Sequence, residues 1–169
     1  MRTLSYGEHY QAQTVLSAPA EAVFAFLDDP LRLVAHMSKP TLMMGYSTMR
    51  MELDAAGGRA VGSVMRLRGR FLAWPLAVDE AVIERREPWG KAWETSGIPK
   101  LILLAGYRMG FKVQVQEGRT HVTIWIDYAL PTRGLPAFAG RCLGAAYARW
   151  CVDHMLQDTA KHFERPLAA

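Results

Sequence analysis

Tyr107-Arg108-Met109-Gly110-Phe111-Lys112-Val113-Gln114-Val115-Gln116 is the stretch that decides the fold class. Its odd-numbered positions are aromatic, thioether or β-branched, and its even-numbered ones are cationic, amide or glycine. Side chains alternate across a strand, so this pattern describes a strand with one face on a core and the other in water. Glu117-Gly118 then closes a hairpin into Thr120 to Tyr128, where Val122, Ile124, Ile126 and Tyr128 share one face.

Working upstream, Lys91 to Ser96 reads as a shorter strand carrying Trp93, and Leu76 to Arg86 as a strand ending at Glu87-Pro88. Phe71 to Pro75 turns the chain. Ala60 to Arg70 and Leu42 to Leu53 form two more strands, joined through Ala56-Gly57-Gly58. Tyr10 to Leu16 is the first strand. The connections within this series are too short for crossovers, which makes the sheet antiparallel.

Two helical regions flank the series. Ser17-Ala18-Pro19-Ala20-Glu21 opens a short helix through Leu27, with proline at its start and an acid in its first turn; Asp28-Asp29-Pro30 stops it and restarts another through about His36, with Asp29 as its cap. From Pro136 to about Phe163 the period is helical. At 100° per residue, Gly140, Gly144, Tyr147, Cys151, Met155, Asp158 and His162 fall on one side, and Arg149, Asp153, Gln157 and Glu164 on the other. Glycine costs about 1 kcal/mol relative to alanine in a helix interior. Two of them on the inner side imply that something approaches closely or that space is left there.

Two segments resemble a known family. Ser17 to Pro30 resembles the opening "APxxVxxxLxDp" stretch of the SRPBCC or START-like superfamily, and Val82-Ile83-Glu84-Arg85-Arg86-Glu87-Pro88 resembles its "VxExxP" strand end. That superfamily includes polyketide cyclases, coenzyme Q-binding proteins and birch-pollen-allergen relatives. The resemblance covers essentially the whole chain and implies an α+β helix-grip fold: a curved antiparallel sheet of about seven strands around a long C-terminal helix, with two short helices after the first strand. It also implies a pocket between sheet and helix, without naming the ligand.

Composition agrees with one domain over residues 1–169, which the resemblance implies is a ligand-binding one. Half of the 169 residues are apolar and 21% are charged, enough for one core and too few residues for two ordinary domains. Cys142 and Cys151 project from nearly opposite sides of the last helix, so they neither bridge nor form a metal pair. Met1 to Tyr10 lacks the apolar core of a secretory signal, no run reaches the ~20 apolar residues of a membrane span, and the absence of asparagine removes any glycosylation sequon. A cytoplasmic protein is expected. The net charge of +4 permits weak attraction to anionic surfaces but is ordinary among soluble proteins.

The expected pocket residues are Tyr46, Met65, Leu67, Trp93, Tyr107, Met109, Phe111, Tyr147, Cys151 and Met155, with Tyr46, Tyr107, Tyr147 and Asp158 as polar groups that orient a ligand. One helix is a narrow cover for so wide an apolar sheet face, and the chain's nine methionines, four of them at Met43, Met44, Met49 and Met51, suit an adaptable site. The same residues would also serve as plain core.

His154 and Asp158 are the candidate catalytic pair; with His162 they recur every four residues, as a polar end to the pocket or as a helix end in water. No metal site is expected, because two histidines lack a third nearby ligand, and no cofactor is implied. Arg66, Arg68 and Arg70 form a cationic strand face, either solvated or able to meet anionic lipid. Ile98-Pro99-Lys100-Leu101-Ile102-Leu103-Leu104 reads as a lid or membrane-touching loop, or as a buried strand start. No nucleic-acid motif accompanies the charge, and the signatures of hydrolases, kinases and dehydrogenases are missing.

The expected function is reversible binding, carriage or sensing of a small hydrophobic molecule such as a lipid, polyketide, quinone or aromatic metabolite. The polyketide cyclase branch implies, as an alternative, an enzyme that cyclises or dehydrates a bound apolar chain. A module docking on a membrane or partner without a small ligand is the third alternative.

Overall fold

The computed structural model of the protein describes residues 5–33, 49–71 and 74–164, with the side chain of Phe71 excepted. Tyr46, Met43, Met44 and the segment toward His36 lie outside the described residues.

Seven strands form one antiparallel sheet: β1 (Glu8–Leu16), β2 (Met49–Leu53), β3 (Val64–Phe71), β4 (Trp74–Arg86), β5 (Gly90–Lys100), β6 (Gly106–Gln116) and β7 (Arg119–Ala129). Their order is β1-β7-β6-β5-β4-β3-β2. Strands β2 to β7 are thus a meander, and β1 returns to pair along β7, Ala12 facing Ile124. Register breaks between Ala77 and Asp79 and between Val82 and Glu84 bend the long β4–β5 pair, the usual effect of a bulge. The strand expected at Lys91 to Ser96 is therefore longer than its alternation suggested, running to Lys100.

Helix α1 (Ala20–Leu27) and the single turn α2 (Pro30–Leu33) follow β1. Pro19 stands at the N-cap of α1, and the Asp29 carboxylate accepts from the Leu31 amide at 3.1 Å, as expected of a cap. Val23, Phe24 and Leu27 bury one face of α1, Phe24 packing at a ring distance of 5.7 Å on Phe111 of β6.

Helix α3 (Gly134–Glu164) closes the chain. Its buried side is Ala137, Gly140, Gly144, Ala148, Cys151, Val152, Met155, Leu156 and Thr159. A Cβ on Gly140 would stand 2.9 Å from the Leu103 carbonyl oxygen and 2.7 Å from Pro131 Cδ, and one on Gly144 2.6 Å from Leu130 Cδ2. The two glycines therefore admit the β5–β6 connection and the segment after β7 against the helix. Further along, Asp153 accepts from the Tyr10 hydroxyl at 2.9 Å, and His162 stacks on Phe26 at 4.4 Å, tying the helix to β1 and α1.

A buried ion cluster fixes α1 to the sheet. Lys91 Nζ, its side chain fully buried, lies 2.9 Å from Asp28 Oδ1, and Arg85 pairs with the same carboxylate at 2.8 Å. Burial pushes the Asp28 carboxyl up, but hydrogen bonds from Arg85 and Lys91 prevail and hold it below its ordinary range.

Candidate functional site

Helix α3 makes its main close approaches to β1 and β7, at one side of the sheet, while α1 sits on β6. Between these covers, over the middle strands, the described residues leave the apolar face unfilled. The cavity there has a volume of about 50 Å³ and draws on nearly every element: Pro30 and Leu33 from α2, Met51, Met65 and Leu67 from β2 and β3, Trp93, Tyr107, Met109 and Ile126 from β5 to β7, Leu104 from the loop, and Tyr147, Cys151 and Met155 from α3. At roughly 10–15 Å³ per water, that is room for a few water molecules. Four of its walls are methionines, whose unbranched side chains shift at little cost.

One lining residue is charged by nature. Glu80 is the inward residue of β4 between Val78 and Val82, and it is only 4% exposed. Its Oε1 accepts from the Tyr107 hydroxyl at 2.5 Å. Burial pushes the carboxyl up to about 7, against hydrogen bonds from Tyr107 and the Trp93 indole and a weaker pull from Lys91. No ion pair to Glu80 occurs among the described residues, because Lys91 Nζ is turned to Asp28. On the opposite wall, Tyr147 and Cys151 share a hydrogen bond. Burial pushes the Cys151 thiol up to about 12, so it stays protonated and is no nucleophile at neutral pH. Burial likewise raises the Tyr107 and Tyr147 hydroxyls well above their ordinary value.

Of the residues expected at the pocket, Met65, Leu67, Trp93, Tyr107, Met109, Tyr147, Cys151 and Met155 meet around this one cavity. Phe111 does not: it is buried beyond the lining, against Phe24. Tyr46 lies outside the described residues. His154 and Asp158 also fall outside the lining. The His154 ring packs on Trp150 and its Nδ1 lies 2.8 Å from the Trp150 carbonyl oxygen, because Cys151 and Met155 hold the inward direction at that level and His154 is about 100° away from Met155. Asp158 is half-buried one turn beyond the last lining residue. Among the described residues no three His, Cys, Asp or Glu side chains cluster as metal ligands. Met51 of the methionine-rich segment, Leu104 of the apolar run and Ile126 of the apolar sheet face also line it, and Glu80, Pro30 and Leu33 complete the lining without having been expected at the site.

The apolar run at Ile98 divides. Ile98 is almost fully exposed, whereas Leu104 is buried and forms cavity wall. Arg66 and Arg70 stand in solvent, and Arg68 pairs with Asp79 at 2.6 Å on the outer face.

The arrangement of sheet, paired short helices and long final helix recurs in solved structures. The fold is the helix-grip fold. The Zhui aromatase/cyclase from Streptomyces sp. R1128 superposes with a TM-score of 0.66 at 16% identity, over 96% of either chain. A protein from Thermus thermophilus gives 0.67 at 13%, over 92% of this chain and 97% of its own. Major latex-like protein 151 from Panax ginseng gives 0.58 at 13%, over 94% and 98%. No protein-family model and no curated protein matches the sequence. At these identities the likeness establishes the fold, and the helix-grip fold leaves the chemistry of its hollow to the side chains that line it.

Proposed function

We propose that the protein binds a small, largely apolar molecule in the cavity between the sheet and α3, and carries or senses it. The supporting observation is the cavity itself: a space that the described residues leave unfilled, walled among them by four methionines, leucines and aromatic rings. Each ~100 Å² of apolar ligand surface removed from water there contributes about 2.5 kcal/mol. A ligand larger than a few heavy atoms must move methionine side chains, which their flexibility permits. The Streptomyces aromatase/cyclase, which shares this fold, gives the reading a precedent.

Native mass spectrometry of the purified protein tests it. A co-purifying small compound, or saturable uptake of an added neutral compound such as benzyl alcohol, is the expected result. A chain that is empty and takes up no such compound would remove the proposal.

Docking on a bilayer during transfer fits the surface of α3. Its first half exposes Leu135, Phe138 and Leu143. Between Asp127 and Asp153 the chain carries Arg133, Arg141 and Arg149 and no acidic residue. Flotation with vesicles containing phosphatidylserine should carry the protein along, and Phe138→Asp should abolish this. No helix among the described residues is long and apolar enough to cross a membrane. Two free cysteines suit a reducing cytoplasm, where we place the protein as a single domain without nucleic-acid partners.

A second reading, proton transfer on a bound apolar substrate, is favoured by Glu80 alone: a cavity carboxyl at about 7 is suited to take or give a proton near neutrality. In that case Glu80 replaces His154 and Asp158 as the acid–base group. A single turnover assay with a linear polyketide chain should then show product with the native protein and none with Glu80→Gln.

A further inference from the structure

Glu80 poses a question that apolar binding leaves open. A carboxyl inside an apolar cavity costs several kcal/mol when ionised and unpaired, and proteins place such groups beside a cation. Lys91, the cation among the described residues that acts on Glu80, is committed to the Asp28 carboxylate at 2.9 Å and to the Asp28 carbonyl at 3.2 Å. Arg85 is committed to Asp28 and Glu87. What the protein does supply to Glu80 is two neutral donors, the Tyr107 hydroxyl and the Trp93 indole. Donors aimed at a carboxyl favour its anionic form, and a carboxylate has room for about four hydrogen bonds, so acceptor capacity remains. Trp93 and Tyr107 stand beside it, and Tyr147 lines the same cavity from the opposite wall. A carboxylate in a lining that also holds aromatic rings is the chemistry that receives an organic cation.

We propose that the polar end of the ligand is a protonated amine on an apolar body, seated against Glu80 and the rings of Trp93, Tyr107 and Tyr147. This rests on the proposed ligand-binding reading and gives it a chemical class. The ammonium supplies the charge that Glu80 lacks among the described residues. A ligand carboxylate would meet like charge, and a ligand alcohol would gain one hydrogen bond to the carboxylate without a charge to neutralise it.

The test compares benzylamine with benzyl alcohol, two probes with the same apolar body, by calorimetric titration of the full chain. At pH 8 benzylamine should bind at least tenfold more tightly than benzyl alcohol. With the Glu80 carboxyl at about 7, benzylamine affinity should rise roughly tenfold between pH 6 and pH 8 as the site ionises, while benzyl alcohol affinity changes far less. Glu80→Gln should lower benzylamine affinity at pH 8 at least tenfold and remove its rise between pH 6 and pH 8. Should that variant fail to fold, the native protein still decides. At pH 6.5 benzylamine should release protons, seen as a binding enthalpy that differs between two buffers of unlike ionisation heat. Equal affinity for both probes without proton release overturns the amine assignment and leaves apolar binding standing. Binding of neither probe overturns the cavity reading, and the amine with it.

Discussion

Replacing Glu80 by glutamine isolates the cost of holding a carboxyl inside the cavity, and the structure sets its size and its pH dependence. The folded carboxyl sits at about 7 against 4.5 in an unperturbed chain, a displacement caused first by burial. At about 1.4 kcal/mol per pH unit, full ionisation makes the folded state about 3 kcal/mol less stable than if Glu80 titrated normally. Because the folded value is raised, the native state holds the proton longer than the unfolded chain does. The contribution of Glu80 is therefore most favourable below pH 4.5 and is lost as pH rises through about 7. Glutamine keeps the shape and an oxygen for Tyr107 but has no charge. Urea denaturation followed by tryptophan fluorescence at pH 4, 7 and 9 should find the variant within about 1 kcal/mol of the native protein at pH 4 and about 2–3 kcal/mol more stable at pH 9. Asp28 and the other carboxylates titrate in both proteins and cancel from the difference. A stability difference that stays constant from pH 4 to pH 9 would refute the claim that Glu80 is buried, unpaired and half-ionised near neutrality.

Three further outcomes follow from the packing. Asp28→Asn removes the partner of a fully buried lysine and should cost about 3–5 kcal/mol in chemical denaturation, with Asp28→Asn and Lys91→Met together recovering part of the loss. Gly140→Ala should lower stability by about 1–3 kcal/mol despite the better helix propensity of alanine, since its methyl would stand 2.7 Å from Pro131 Cδ; a rise in melting temperature would contradict the close approach described for Leu103 and Pro131. Cys151→Leu adds bulk to a cavity of about 50 Å³ and should abolish benzyl alcohol binding with little change in circular dichroism; retained affinity would place the binding site elsewhere.

The strands and their order were legible in the sequence wherever one face is apolar without interruption. The odd positions from Tyr107 to Val115 are an example: those through Val113 are buried in the structure, and only Val115, at the strand end, reaches solvent. Glu80 was not legible for a physical reason. In β4 the adjacent Asp79 and Glu80 place an acid on either face, so alternation alone does not say which carboxylate turns inward, and the bulges beside Ala77 and Val82 blur the parity further. Only the pairing of β4 with β3 and β5 settles it. The last helix shows a different limit. An ideal wheel gathers Asp158 and His162 with Met155, but α3 ends beyond the cavity, so the final turns meet α1 and Phe26 rather than the hollow. The glycines at 140 and 144 announced a close neighbour in the sequence, and the structure identifies it as the Leu103 carbonyl together with Leu130 and Pro131.

The hollow between sheet and helix can be examined directly through its methionines. With methyl-labelled methionine, titration with benzene should shift the methyl resonances of Met51, Met65, Met109 and Met155 saturably, and leave Met49, buried but outside the lining, little changed. Four unmoved signals, or small linear drifts shared by every methionine, would mean that the interior takes in no apolar guest.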